Sequence, residues 1–305
     1  MSVPERPRAV QVAAQAKINL RLRILAREAT GYHQIETIFH RIALADVVRV
    51  RRTGGERSLD ITGDVDMSAL GPTERNLAWR AAELYLSTTG MSGGLAIEID
   101  KHIPIGGGLG GGSADAGAVL RALDAMAERP LGEAQLIRLA AVLGSDVPFL
   151  ASEHAFALAW GRGERMLALS PPPMRDVRLL LPPFAVNTGE AYGWIAADRE
   201  RANATWDALV LHPLQFEGWD SLARIAINDF ETPVVRRHPA IAHALTAQRG
   251  DASVQLAMLS GSGSSMFAIG RGDVLLGAGR AIDDAGMRSV MTRTILRVEP
   301  PTRIE

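Results

Sequence analysis

The chain has 305 residues, of which 47% are hydrophobic and 22% are charged. At about 150 residues per domain this length predicts two domains, with a composition typical of a folded rather than a disordered protein. The 33 basic and 34 acidic residues give a net charge of −1, which argues against a nucleic-acid partner. Because the chain has no cysteine, a disulfide framework, a thiolate metal site and a cysteine nucleophile are excluded.

The start of the chain lacks the apolar core of a signal peptide, and no apolar run reaches the length of a membrane span. We therefore expect a cytoplasmic protein with no membrane partner.

Alternating apolar residues predict strands in the first part of the chain. These strands cover residues 10–25 (interrupted at 16–19), 34–43, 46–51, 59–61 and 95–103. A helix is predicted over residues 76–89, where apolar side chains recur at helical spacing and Gly90 follows.

The most unusual segment comes next, PIGGGLGGGS at residues 104–113, with six glycines among the seven residues 106–112. Two helices are predicted after it, over residues 113–127 and 131–143. The segment GSDVP at residues 144–148 predicts a turn followed by an apolar strand, and a strand pair is expected around a turn at 161–164.

The proline run at 171–173 predicts a domain boundary, with one domain at 1–170 and a second domain at 171–305. The predicted elements of the second domain are a strand at 177–181, helices to about residue 249, and strands at 254–259 and 266–269 joined by a Ser/Gly loop.

Residues 104–113, called the phosphate loop below, lie between a predicted strand and a predicted helix. Glycine amides can turn inward around an anion, and the start of a helix favours negative charge. The Walker pattern does not apply, because Ser113 stands where it requires lysine. The dinucleotide fingerprint requires a strand after the helix that follows the glycines, but here a second helix is predicted. The kinase loop lies in a β-hairpin and requires a strand directly after the glycines, but here a helix is predicted. We therefore predict a distinct loop-to-helix phosphate site, with the Ser113 hydroxyl placed to reach a phosphate or Mg²⁺.

Three polar residues are candidates for chemistry at such a site. Lys17 and Asn19 lie two residues apart in a predicted strand, so their side chains share a face. Taken alone, Lys17 is typical of a solvated strand edge, and Asp146 is typical of turn or capping chemistry. Beside a phosphate site they have another use, because phosphoryl transfer needs a cation to hold charge and a carboxylate to accept the hydroxyl proton.

Three segments together resemble the GHMP kinase superfamily of small-molecule kinases. They are AKINL at residues 16–20, the phosphate loop, and LSGSGS at residues 259–264. GYH at 31–33, the doubled glycine triplet around Leu109 and GSDVP at 144–148 are most similar to members whose acceptor has a cytidine diphosphate head group. The resemblance extends over about residues 14–269.

The resemblance implies an α+β fold of two domains, with the active site in the cleft between them. It implies ATP as co-substrate with Mg²⁺, Asp146 as general base, and Lys17 as the residue that orients Asp146 and offsets charge on the phosphoryl group. The residues implied to bind the ATP phosphates are Pro104, Ile105, Gly106, Gly107, Gly108, Leu109, Gly110, Gly111, Gly112 and Ser113.

The same resemblance implies the acceptor site. Asn19 supports the site by hydrogen bonding, while Tyr32 and His33 hold the cytidine head group, one by stacking and one by hydrogen bonds. Tyr192 offers a second stacking face, and the loop at residues 260–265 closes on the site from the second domain. Ser113 is the only metal ligand that these motifs suggest.

Two alternatives stay open on the sequence. One is a kinase of the same superfamily with another acceptor, of the homoserine or mevalonate type, although those kinases lack the GYH segment. The other is a non-catalytic ligand sensor on the same fold, although a sensor has no need of Lys17 and Asp146. No feature of the sequence predicts the oligomeric state.

Overall fold

The computed structural model describes residues 7–29, 33–63, 70–202, 211–272 and 286–304. Its strands are β1 (Ala9–Arg27), β2 (His33–Thr53), β3 (Ser58–Gly63), β4 (Gly94–Lys101), β5 (Phe156–Gly161), β6 (Arg165–Ala168), β7 (Asp176–Leu181), β8 (Ile227–Asn228), β9 (Val254–Leu259), β10 (Met266–Gly270), β11 (Arg288–Arg293) and β12 (Thr302–Arg303). Its α-helices are α1 (Leu77–Thr89), α2 (Gly111–Met126), α3 (Glu133–Leu143), α4 (Val147–Ala151), α5 (Thr188–Ala202), α6 (Trp219–Ile225), α7 (Glu231–Arg237) and α8 (Pro239–Gly250).

The strands form two sheets. The first has the order β12-β1-β2-β4-β3, with β5 and β6 continuing from β2 and with β8 beside β1. The second has the order β11-β7-β10-β9. Two sheets with separate helices confirm the expected α+β fold class. The boundary near residue 170 stays a prediction, because β8 and β12 come after it in the chain and yet pair with β1 of the first sheet.

One hydrophobic core connects the two sheets. It contains Val10 and Ile18 of β1, Val119 of α2, Val177 of β7 and Phe267 of β10, all buried. Every residue of β1 from Ala14 to Leu22 is buried, so this stretch is covered on both faces, and its polar residues can only be accommodated where they find partners inside the protein.

The interruption expected at residues 16–19 is wrong, because β1 continues through it. The register between β1 and β2 instead shifts between Gln15 and Lys17 and again between Asn19 and Arg21. Such bulges re-aim side chains without ending a strand. The sequence signal was real, but it marked bulges that flank Lys17 and Asn19.

The apolar strand expected after residues 144–148 is also wrong, since the helix α4 occupies that position. A short apolar run does not distinguish a buried strand from a buried helix, and Pro148 in the first turn favours the helix. The buried Arg41 guanidinium of β2 secures the end of this helix, donating to the carbonyl oxygens of Phe149 at 2.7 Å and Ser152 at 3.0 Å.

The predicted helices agree with the structure within a few residues. The Asn76 side chain accepts a hydrogen bond from Ala78 N at 2.9 Å and so caps α1, which ends at Gly90 in the left-handed conformation. No helix in the described part of the chain is long and apolar enough to cross a bilayer.

Burial of His40 predicts a pH dependence of stability. The ring stacks on Trp219 in the core, and burial lowers the pKa of His40 from 6.5 to about 4, against a smaller opposing effect of its hydrogen bond to the Arg41 carbonyl. Between these two pKa values, His40 of the unfolded chain binds a proton and His40 of the folded chain does not. Stability is full above pH 6.5 and falls as the pH decreases towards 4, by up to about 1.4 kcal/mol per pH unit.

Urea unfolding across this pH range measures the effect. His40→Gln removes the titrating group and should flatten the acid limb of the stability curve. The same acid limb in both proteins would contradict the assignment to His40.

Candidate active site

A cavity of about 770 Å³ opens where β1, the phosphate loop and α5 meet. The structure brings nearly all of the predicted site residues to it. Those that line it are Lys17, Asn19, His33, every residue of the phosphate loop, Asp146 and Tyr192. Tyr32 lies outside the described residues, so its role stays a prediction.

The Lys17 ammonium group is the centre of the site. It donates to Asn19 Oδ1 at 2.8 Å and to the Gly108 carbonyl oxygen at 3.1 Å, and it lies 3.1 Å from Asp146 Oδ2. An ammonium group has three protons, so these three acceptors satisfy it completely. The Lys17 side chain is 3% exposed and that of Asp146 is 29% exposed, so the carboxylate is the more accessible of the two groups to an incoming molecule.

Asp146 owes its position to α4, which starts directly after it. Its backbone carbonyl accepts the first helical hydrogen bond, from Leu150 N at 3.1 Å, but its side chain caps no amide. The capping explanation for Asp146 is therefore wrong. A Cβ on Gly117 would come within 2.5 Å of the Leu150 carbonyl oxygen, so this glycine lets α4 pack directly against α2. That packing brings Asp146 beside the phosphate loop.

Hydrogen bonds from two neighbouring segments hold the carbonyl groups of the phosphate loop. The pairs are Ser265 N to Gly107 O at 3.1 Å, Lys17 Nζ and Ser260 Oγ to Gly108 O at 3.1 and 3.0 Å, and Lys17 N to Leu109 O at 3.0 Å. With three successive carbonyls engaged, the amide groups are what the loop can still offer to a ligand.

Gly108 shows why this loop needs glycine. Its φ is +77°, and a Cβ there would lie 2.2 Å from the Ser260 carbonyl oxygen. Any side chain would therefore combine an unfavourable backbone conformation with a clash against backbone.

The first turn of α2 completes the phosphate site. Ala114 N is the first amide to bond within the helix, to the Gly110 carbonyl oxygen at 2.8 Å. The amides of Gly111, Gly112 and Ser113 precede it and have no acceptor inside the helix. Together with the positive end of the helix dipole, these amides favour an anion such as a polyphosphate.

The Ser/Gly loop at residues 260–265 contacts the site from the side of the second sheet. Besides its bonds to the phosphate loop, it donates from Gly261 N to Asn19 Oδ1 at 3.1 Å. The buried Asn228 side chain, which the sequence did not single out, holds the loop by donating to the Gly261 carbonyl oxygen at 2.8 Å. Thr188 at the start of α5 adds a hydrogen bond to Ser262, with 2.9 Å between the hydroxyl oxygens.

An aromatic wall forms another side of the cavity. The rings of His33 and Tyr192 are stacked, with centroids 4.2 Å apart and planes 11° apart, and the edge of Phe230 packs on Tyr192. Rings this close are in direct contact, so a flat base would stack on an outer face of the pair and not between its members. Burial, with the charge of Asp146 adding to it, raises the pKa of Tyr192 to about 12, which keeps its hydroxyl protonated.

A buried ionic cluster behind the phosphate loop was missed in the sequence. Lys101 Nζ lies 2.5 Å from Asp46 Oδ2 and 2.7 Å from Asp115 Oδ2. The other oxygen of Asp46 accepts from the amides of His102 and Ile103 at 2.6 and 2.7 Å. The cluster thus ties the residues just before the loop to α2 just after it. Burial raises the pKa of Asp115 to about 7, with the charge of Lys101 opposing and that of Asp46 adding to the shift.

Comparison with known proteins gives the class of fold. Residues 76–154 match the model of the GHMP kinases N-terminal domain. A homoserine kinase from Cytophaga hutchinsonii superposes with a TM-score of 0.66 over 99% of both chains, at 17% sequence identity. The fold is therefore that of the GHMP kinases, and the lysine–aspartate pair lies in it beside the glycine-rich phosphate loop.

Two closer relatives give the family within this class. The 4-diphosphocytidyl-2-C-methyl-D-erythritol kinase of Pelotomaculum thermopropionicum is 36% identical over 261 residues, which cover 85% of this chain and 88% of the relative. A crystal structure of 4-(cytidine 5'-diphospho)-2C-methyl-D-erythritol kinase superposes with a TM-score of 0.72 and 32% identity, over 93% of this chain and 98% of that one. The chain belongs to the 4-diphosphocytidyl-2-C-methyl-D-erythritol kinase family.

The Gly108 geometry predicts the effect of a single methyl group. Gly108→Ala should lower the thermal unfolding midpoint and weaken ATP binding by about tenfold or more, because the left-handed backbone and the clash together cost more than about 1.4 kcal/mol. Calorimetric titration with ATP and thermal unfolding measure the two effects. Gly193→Ala is the control, since a Cβ at that helical position meets nothing within 4 Å. Wild-type ATP affinity in Gly108→Ala would contradict the assigned role of the loop.

Proposed function

We propose that this chain transfers the γ-phosphoryl group of ATP to a hydroxyl of 4-diphosphocytidyl-2-C-methyl-D-erythritol, giving the 2-phosphate in the non-mevalonate route to isoprenoid precursors. The observation that carries the proposal is the 3.1 Å contact between Lys17 Nζ and Asp146 Oδ2 beside the phosphate loop. Family membership supports the choice of acceptor. We propose the cytoplasm, where ATP is available, as the location.

Asp146 is the general base of the proposed reaction. Its carboxylate takes the proton of the acceptor hydroxyl as the hydroxyl oxygen bonds to the γ-phosphorus and the bond to the ADP oxygen breaks. Lys17 holds the carboxylate in place and, on the same wall of the cavity, offsets negative charge on the transferring group. The buried position of Lys17 strengthens both interactions, because little water competes for its protons.

ATP is bound through its phosphates in this proposal. The free amides at the start of α2 receive the polyphosphate, and the engaged carbonyls of the phosphate loop keep the amides turned towards it. The loop itself carries no charge, so the lysine and the helix dipole supply the positive potential.

We propose Mg²⁺ as the metal of the reaction. Among the described residues, no group of three or more His, Cys, Asp or Glu could hold a metal ion. A donor set this sparse suits Mg²⁺, which retains waters and is bound largely by substrate phosphates. The Ser113 hydroxyl, on the cavity wall, would be its protein ligand, and the bound metal would neutralise phosphate charge.

The acceptor site lies on the aromatic wall. We propose that the cytosine base stacks on the exposed side of the His33 and Tyr192 pair, and that Tyr32 contributes next to His33. Asn19 supports the acceptor side of the site by accepting a hydrogen bond from Lys17. Tyr192 and Asp146 line the same cavity, and the charge of Asp146 acts on the Tyr192 hydroxyl. This proximity supports an acceptor whose base stacks on the aromatic wall while its hydroxyl reaches Asp146.

ADP release with Mg-ATP tests the proposal. The acceptors are 4-diphosphocytidyl-2-C-methyl-D-erythritol, homoserine, mevalonate and none. Release with the cytidine acceptor alone is the expected result. Release with another acceptor would support the kinase assignment and show that the acceptor is a different molecule. ATP binding without any release would favour a ligand sensor.

Removing the proton acceptor should abolish turnover without affecting ATP binding. Asp146→Asn keeps the shape of the side chain, and we expect kcat to fall by about a hundredfold or more. Steady-state kinetics and ATP titration measure the two quantities. Asp60→Asn, which changes an exposed carboxylate on β3, should behave as wild type. Near-normal turnover of Asp146→Asn would disprove the general-base role.

Loss of the aromatic wall should weaken acceptor binding selectively. Tyr192→Ala is expected to raise KM for the acceptor by about tenfold, since a base–aromatic stack is worth about 1–3 kcal/mol, and to leave KM for ATP unchanged. Tyr192→Phe keeps the ring and should restore the acceptor KM. Tyr32→Ala is expected to act in the same direction. An equal rise in both KM values would place the cytidine site elsewhere.

A further inference from the structure

A short chain of polar groups lies beneath the Lys17 site, and one of its members, Thr37, has no part in the function proposed so far. Thr37 Oγ1 of β2 lies 2.8 Å from Asn19 Nδ2 and 2.7 Å from the carbonyl oxygen of Arg21. Thr37 is fully buried and Asn19 is almost so. In such surroundings each hydrogen bond matters, because no water can replace a lost partner.

The direction of these hydrogen bonds is determined from one end. The Arg21 carbonyl can only accept, so the Thr37 hydroxyl must donate its single proton to it. Towards Asn19, Thr37 Oγ1 can then only accept. The Asn19 atom that faces Thr37 must accordingly be the NH₂ group.

The other end requires the same orientation independently. Lys17 Nζ and the amide of Gly261 both approach the opposite atom of the Asn19 side chain, at 2.8 and 3.1 Å. An ammonium group and a backbone amide can only donate, so this atom must be the oxygen. Both ends of the network therefore require the same orientation of the Asn19 amide.

Shape alone cannot select this orientation. The oxygen and NH₂ ends of an asparagine amide are nearly the same size, and only hydrogen bonds tell them apart. If the amide turned over, its NH₂ group would meet the Lys17 ammonium and the Gly261 amide, donor against donor. Lys17 would lose one of its three acceptors, and the Ser/Gly loop would lose its bond to β1.

We propose that Thr37 is a positioning residue for phosphoryl transfer, whose hydroxyl anchors the NH₂ end of the Asn19 amide and thereby holds its oxygen end, Lys17 and the Ser/Gly loop in place. The kinetic part of this inference rests on the proposed function. Thr37 is absent from the cavity wall, so its influence is on the placement of Lys17 and not on the binding of either substrate.

Thr37→Val and Thr37→Ser separate the hydroxyl from the shape of the side chain. Valine keeps the volume and removes the hydroxyl, and we expect kcat to fall by about tenfold or more, with both KM values within about twofold of wild type. Serine keeps the hydroxyl and should restore kcat to within about threefold. If the valine protein does not fold, Thr37→Cys, with its weak S–H group, takes its place with the same expected loss. Wild-type kcat in a folded variant that lacks the hydroxyl would overturn the proposal.

A double-mutant cycle tests whether Thr37 acts through Asn19. In the Asn19→Ala background, Thr37→Val should lower kcat no further, because no amide is left to orient. An equal loss of kcat in both backgrounds would assign Thr37 a merely structural role and overturn the proposal.

Hydrogen exchange at the Gly261 amide gives a readout that needs no acceptor. Its bond to Asn19 Oδ1 should be lost in Thr37→Val and retained in Thr37→Ser, so exchange should be faster by about tenfold in the valine protein alone. If the wild type shows no kinase activity while this difference appears, the acceptor is wrong and the positioning role stands. Unchanged exchange in the valine protein would overturn the positioning role itself.

Discussion

The buried ammonium group of Lys17 is the constraint on which the rest of the site depends. A cation in the core is tolerated only when acceptors surround it, and Lys17 obtains them from three separate segments, at Asn19, Gly108 and Asp146. The bulges in β1, the close packing of α4 on α2 and the bonds of the phosphate loop all bring an acceptor to this one group. Because Asp146, the proposed general base, is among the three, the contacts that satisfy the lysine also assemble the proposed catalytic pair.

The phosphate loop differs from Lys17 in that it has almost no side chains of its own. Its conformation is imposed by its neighbours, with the cluster of Lys101, Asp46 and Asp115 at its ends and the Ser/Gly loop along its carbonyls. Glycine is favoured inside the loop because close backbone contacts leave no room for side chains, as at Gly108. The charges that shape the loop belong to residues outside it, and two of these residues, Lys101 and Asp115, line the same cavity.

Local patterns predicted much of this structure. The helices after the phosphate loop, the Lys17 and Asp146 pair and the contact of the Ser/Gly loop follow from periodicity, phosphate chemistry and the family motifs. Residues that depend on strand pairing could not be predicted, because Asp46, Lys101 and Thr37 become neighbours of the site only through the register of β2 and β4. The strand expected in place of α4 failed for a different reason, since five apolar residues fit either element once they are buried. The strand break expected at Lys17 failed because a bulge and a break leave the same mark on alternation.

The pairing of β8 and β12 with β1 has a consequence for how the chain can be divided. β8 pairs with Arg21 and Leu22, and β12 pairs with Val10 and Gln11. A fragment that ended before β7 would leave these stretches of the central strand as open edges, and open edges recruit strands from other molecules. Lys17 would lie in such a fragment without the loop that braces Asn19. The first sheet contains strands from both parts of the chain, so we expect exchange of the first 170 residues between relatives to require the partner strands to be exchanged with them.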